Sequence, residues 1–167
     1  MSIKPTFSCN GCAKCCKTLI GRNGTAGLLL LPEEIHLFPD NLIKPCQAVG
    51  TYPGDKKFYF INFQYIENIC IYLKENKCTI YDKRPLACHA YPLRVGKTGE
   101  RYEFTPDCPE VTKLKKQYGE VAMNISNDYQ SAAWKIFENA FTLNSESLEM
   151  RPWIYNLKTQ KWELFKN

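Results

Sequence analysis

Eight residues, Cys9-Asn10-Gly11-Cys12-Ala13-Lys14-Cys15-Cys16, hold four of the chain's nine cysteines. Thiolates separated by two residues can turn back onto one soft metal through a tight loop, and Gly11 makes the first such turn sterically cheap. The first three also reproduce the C-x2-C-x2-C run of a bacterial-type iron-sulfur ligand loop. Cys16 breaks the run. Side chains of adjacent residues diverge, so Cys15 and Cys16 are not expected to close on the same mononuclear ion. Two arrangements stay open: two metal centres side by side, or one thiolate standing just outside the ligand set.

The later thiols are Cys46, then Cys70, Cys78, Cys88 and Cys108, the last four with seven, nine and nineteen residues between them. A compact zinc knuckle would ask for a second short C-x2-C pair, whereas wide spacing suits a polynuclear cluster. Cys108-Pro109 resembles the Cys-Pro that supplies the last ligand in iron-sulfur proteins. Cys46 has no partner at ligand spacing and reads as a single buried thiol. Tyr72, Tyr81, Tyr91 and Phe104 interleave with the cysteines and would shelter a cluster from water, or serve simply as core. Arg84 is placed to donate towards cluster sulfur or to Asp82, with a surface ion pair as the plainer alternative. No acid/base pair or nucleophile triad can be assembled, and adjacent Cys88 and His89 diverge too far to make one.

Composition sets the compartment. A chain of 167 residues can bury a real core, so nine cysteines ask for a chemical reason rather than a stapling one. An odd count, an adjacent pair and an N-terminus without an apolar signal core point to metal binding in the cytoplasm, with no membrane association. The formal charge is +5. Eight thiolates holding two dicationic units would contribute about −4, leaving too little to argue for a nucleic-acid partner. Lys14, Lys17 and Arg22 beside the cysteines then offset thiolate charge or form a solvated face.

The positioning elements follow from periodicity. Residues 1–27 read as a loop, and Pro32-Glu33-Glu34 starts a short helix ending before Pro39. His36 on that helix reads as a surface or half-buried side chain. Residues 40–57 read as an irregular connection. Phe58 to Ile66 alternates as a half-buried strand, with Tyr59, Ile61, Phe63 and Tyr65 opposite Asn62 and Gln64. Glu75-Asn76-Lys77 reads as a hairpin tip returning Cys78 towards Cys70, Thr79 to Arg84 as one helical turn, and Gly96-Lys97-Thr98-Gly99 as the turn of a second hairpin. Pro109 opens a helix carrying Val111, Leu114 and Tyr118. A longer apolar stripe from Val121 through Ile125, Tyr129, Ala132, Ala133, Ile136, Phe137 and Ala140 to Phe141 reads as a helix covering the sheet. A C-terminal hairpin is expected from Trp153-Leu157 and Lys161-Phe165. The expectation is an α+β chain, a small single domain over 1–167. Short antiparallel hairpins surround a cysteine-metal region over 9–110, and residues 111–167 supply a helical cover and a terminal hairpin.

Three motifs in order give these residues a family resemblance: C-x2-C-x2-C-C, a later C-x7-C, and Cys-x-Ile-Tyr-x-x-Arg-Pro-x-x-Cys-x-x-Tyr-Pro over 78–92. Together they resemble the YkgJ-type cysteine-cluster (CxxCxxCC) proteins described as zinc- or iron-chelating, a module also carried by the flagellin lysine N-methylase. The resemblance implies eight metal ligands, Cys9, Cys12, Cys15, Cys16, Cys70, Cys78, Cys88 and Cys108, and leaves Cys46 out. Where that family usually has Arg after the cysteine of the Arg-Pro motif, this chain has His89, an extra ligand or a hydrogen-bond donor beside the ligands, as Arg84 would be. The methylase is much longer, and no glycine-rich nucleotide loop is present here. Three functions follow: a 4Fe-4S protein with one or two clusters serving a protein redox or enzyme partner, which is the favoured reading; a cluster-dependent enzyme; and a zinc-stabilised interaction domain.

Overall fold

The computed structural model describes residues 4–119, 123–141 and 150–166. The chain is α+β and divides into two compact units, Met1–Cys15 with Tyr72–Phe137, and Cys16–Ile71 with Glu138–Asn167. The division falls between the adjacent cysteines.

The second unit is built on a five-stranded antiparallel sheet of β1 (Leu28–Leu30), β2 (Ile43–Gly50), β3 (Phe58–Tyr65), β8 (Arg151–Asn156) and β9 (Lys161–Leu164), in the order β1-β3-β2-β8-β9. The expected short helix after Leu31 is a 3-10 helix, Pro32–Leu37, whose Glu34 carboxylate accepts the Leu31 N–H at 2.9 Å. The terminal hairpin forms as β8 and β9, with β8 also pairing β2.

Two expectations fail in this unit. Residues 40–57 are not irregular throughout, because β2 runs through Pro45 and only 51–57 are turns and bends. Proline lacks a ladder donor, and the strand tolerates it because the register with β3 shifts between Pro45 and Gln47 and again between Gln47 and Ala48. Gly50 reads as punctuation but marks close packing, since a Cβ there would collide with the Lys57 carbonyl. Nor does β3 turn its polar positions to solvent: Asn62 and Gln64 are fully buried, as is Tyr65 of the apolar set, while Tyr59 is 54% exposed. Burial is tolerable because both amide NH2 groups are hydrogen-bonded, although the buried Asn62 Oδ1 has no partner among the described residues. Gln64 Nε2 donates to the Pro45 and Tyr155 carbonyls (2.9 and 3.1 Å), and its Oε1 accepts the Gly27 N–H at 2.8 Å. Asn62 Nδ2 donates to Gln47 and Asn139 at 2.6 and 2.8 Å.

In the first unit, β4 (Leu73–Lys74) and β5 (Lys77–Cys78) are joined by Glu75-Asn76, both at positive φ, as a two-residue hairpin turn requires. The register sets Cys78 opposite Leu73. A 3-10 turn, Tyr81–Lys83, and a short helix α2 (Leu86–Ala90) follow, then β6 (Leu93–Val95) paired with β7 (Tyr102–Phe104). The helix α3 (Pro109–Tyr118) and the helix α4 (Asn127–Phe141) as far as Phe137 complete the unit.

The long helix begins later than its apolar stripe. Val121 lies outside the described residues, and Asn124 is extended, exchanging backbone bonds with Pro5 and Phe7 at 2.8 Å each. That pairing uses the backbone a helix would need, and α4 starts beyond it. Its Ala132 and Ala133 bury Ala90 and Leu93, with Leu86 of α2 and Val95 and Phe104 of the second hairpin packed around them, while Asn139 near its end accepts from Asn62 of β3. The first turn of chain, 1–27, is also not all loop, since Lys14–Lys17 forms a single helical turn, α1.

Candidate metal centre

The cysteine turn is shaped by its own backbone. Gly11 and Ala13 both take positive φ, at 71° and 56°. Gly11 does so at little cost, whereas Ala13 pays a steric penalty inside a buried position. Two left-handed residues in three fold the segment back on itself, so Cys9, Cys12 and Cys15 approach one region instead of lying along a strand. Asn10 fixes the fold: its Oδ1 accepts the Cys12 N–H at 3.1 Å and its Nδ2 donates to Glu110 of α3 at 3.1 Å.

The fourth thiol arrives from α3. Cys108 is the residue before Pro109 at the helix start, where a missing N–H wastes no donor. It is only 6% exposed and packs with Phe7 and Val111. A small cavity is lined by Cys9, Cys12, Cys15 and Cys108 together with Phe7 and Tyr91. Cys9 and Cys12 sit at its exposed rim, Cys15 is half-buried, and Cys108 lies at its base. Phe7 meets Tyr129 edge-on at 5.6 Å and Phe104 at 6.2 Å, which closes the apolar side.

The electrostatics are those of a thiol nest. Burial pushes the Tyr91 hydroxyl up, and the neighbouring Cys108 and Cys15 push it further. Tyr129 is raised likewise, by burial first and then by Cys9. Both phenols stay protonated and can donate to sulfur. Among the described residues no three His, Cys, Asp or Glu side chains are set to hold a single metal ion. Around one zinc all four thiolates bond at about 2.3 Å. In a 4Fe-4S centre each thiolate takes its own iron, and the ligands stand wider apart. Four cysteine thiols around one apolar-walled cavity suit either a tetrahedral zinc or an iron-sulfur centre.

The remaining residues divide. In the other unit Cys70 donates its N–H to the Cys16 carbonyl at 2.8 Å, and Asn68 accepts the Leu19 and Ile20 N–H groups beside it. Cys16 and Cys70 are thus brought together by backbone. Cys78 lies in the first hairpin and Cys88 on α2, and neither lines the cavity. Cys46 is buried in β2, where desolvation pushes its thiol up to about 12. Arg84 turns back on Tyr81, donating to its carbonyl at 2.6 Å with the guanidinium 3.8 Å over its ring. His89, on α2, is held below its usual range by burial and by Arg84, against an opposing pull from Asp128. Asn10, Glu110 and Phe7 were not singled out in the sequence. An Asn two residues before a cysteine is an Asx-turn signal that could have found the first.

A family model described as "Putative zinc- or iron-chelating domain", CxxCxxCC, matches residues 8–109. No curated protein and no solved structure matches the chain. Among the described residues no helix is long and apolar enough to cross a membrane.

Proposed function

Because this chain belongs to the CxxCxxCC family of zinc- or iron-chelating domains, we propose that the metal it holds is a 4Fe-4S cluster ligated by Cys9, Cys12, Cys15 and Cys108. The cluster would serve an electron-transfer or enzyme-accessory role in the cytoplasm. The observation that carries this is the shared cavity: three thiols of a C-x2-C-x2-C turn and the thiol of a Cys-Pro pair line one apolar-walled space. When bound, the cluster would supply a one-electron couple. The chain's own residues do the rest. Phe7, Tyr91 and Tyr129 limit water at the sulfurs, and exclusion of water together with phenol donors tunes the potential. Lys14, which also lines the cavity, sets a positive charge against the thiolates. Exposed Cys9 and Cys12 leave one edge of the centre near solvent, where a partner can approach.

The remaining family cysteines would extend the set. Cys16 and Cys70 lie together in the second unit, and a second centre there would account for the adjacent pair.

The deciding measurement is iron, zinc and acid-labile sulfide per chain, with a visible spectrum, on protein purified without oxygen. Iron and sulfide in equal amounts are expected, and Cys108→Ser should lose them. Zinc without sulfide in the parent protein would refute the iron-sulfur reading.

A further inference from the structure

Beside the cysteine cavity lies a second, larger and more open one. Its volume is about 630 Å3, and its walls are Lys14 from the cysteine turn and Pro109, Thr112, Lys113, Lys116 and Gln117 from α3. Those five helix positions are spaced by three and four, so they form one continuous stripe. The opposite stripe, Val111 and Leu114, faces the core. The exposed stripe therefore does no packing work within its helix, and its charges are of one dominant sign. Lys14, Lys113 and Lys116 are all exposed, and Asp107 is the single carboxylate on the wall. Glu110 pairs with Lys113 at 3.5 Å and offsets part of that charge, a weak ion pair because the Lys113 ammonium is exposed. Lys14 and Pro109 line both cavities, so the basic cleft adjoins the thiol centre directly.

We propose that this cleft is the docking surface for an acidic protein partner, held by Lys14, Lys113 and Lys116 with its carboxylates against the edge of the metal centre. The inference rests on the proposed centre for its purpose but not for its binding. Open walls and long flexible ammonium groups favour an extended acidic surface over an enclosed small molecule. A ligand pocket would bury most of its guest among apolar groups with a few fixed polar ones. Lysines around an open rim instead steer encounter and set orientation, at the expense of strong salt dependence.

The test uses a fluorescein-labelled polyglutamate peptide and fluorescence anisotropy on the full chain as purified. At about 0.01 M salt, where screening reaches roughly 30 Å, the peptide should bind and weaken steeply as salt rises. The double variant Lys113→Glu and Lys116→Glu should weaken binding by about ten-fold or more, as charge reversal at an orienting rim does. It should keep the metal content of the parent, since neither side chain lines the cysteine cavity. A second double variant, Lys74→Glu and Lys77→Glu on the exposed hairpin of the same unit, should bind like the parent. Equal loss in both variants, or no loss in either, would overturn the proposal. So would saturable binding of inorganic phosphate that only the helix variant loses, which would reassign the cleft to a small anion. Peptide binding is read whatever metal is present. A zinc-loaded protein that still shows the helix-specific loss would remove the iron-sulfur reading and keep the surface.

Discussion

Cys46 and Cys108 are equally hidden, at 7% and 6% exposed, yet their surroundings ask opposite things of sulfur. Cys108 stands before a helix start with three other thiols around one cavity, while Cys46 sits in a strand where burial pushes its thiol from 9.0 up to about 12. A folded-state value above the unfolded one means the native state holds the proton more tightly. The resulting stability is fully present below about pH 9 and is lost as pH rises towards 12. The unfolding free energy should therefore fall by about 1.4 kcal/mol per pH unit above pH 9. Cys46→Ala should remove its own share of that slope, leaving what the raised Tyr91 and Tyr129 hydroxyls add above about pH 10, while retaining full metal content. Urea unfolding of both proteins at several pH values checks it, and parallel slopes would contradict the assignment. At this scale the grouping of Cys9, Cys12 and Cys15 was legible, because short spacing lets these thiols turn together towards the cavity they share with Cys108. Asn10 was not, because its value depends on Glu110, a hundred positions away.

At the scale of elements, alternation located β3 but did not reveal that its polar positions are buried. Polarity normally marks the wet face, and here two amides are buried because they stitch strands side to side. Gln64 alone answers the Gly27 N–H and the Pro45 and Tyr155 carbonyls, which belong to three different segments of the second unit. Gln64→Leu keeps the volume and abandons those three backbone groups. A loss of about 2–5 kcal/mol is expected, since each orphaned buried group costs about 1–3 kcal/mol. A position 64 on the solvated face, as the alternation suggests, would give a change near zero, so the size of the loss in chemical denaturation decides between the two. The missed strand β2 has the same origin. Pro45 is a breaker by local rule, and only the partner strand's register shift shows why it is tolerated. The hairpins at Glu75-Asn76 and Gly96-Gly99 were legible because their turns are specified locally, by residues that accept positive φ.

At the scale of the whole molecule, the two units are stabilised by different means. The sheet unit has 28 to 65 and 151 to 164 tied by a continuous antiparallel ladder and buried amides. The cysteine unit has two small apolar clusters, Ala90 with Leu93, Ala132 and Ala133, and Phe7 with Cys108 and Val111. The second of these clusters contains a thiol lining the cavity, and its Phe7 is held by a backbone bond to Asn124. Metal binding to such a site adds folding free energy where the ligands are, because the unfolded chain offers no preformed site. Stripping the metal should then act locally. In hydrogen exchange, amides of α3, of 124 and of the cysteine turn should lose protection by about ten-fold or more. Those of β2, β3 and β8 should keep theirs, because opening proceeds in separate cooperative blocks. A uniform loss across both units would mean that the chain opens as one cooperative body and that the metal stabilises all of it. The sequence could not distinguish these outcomes, since the division of the chain falls inside its most regular motif, between Cys15 and Cys16.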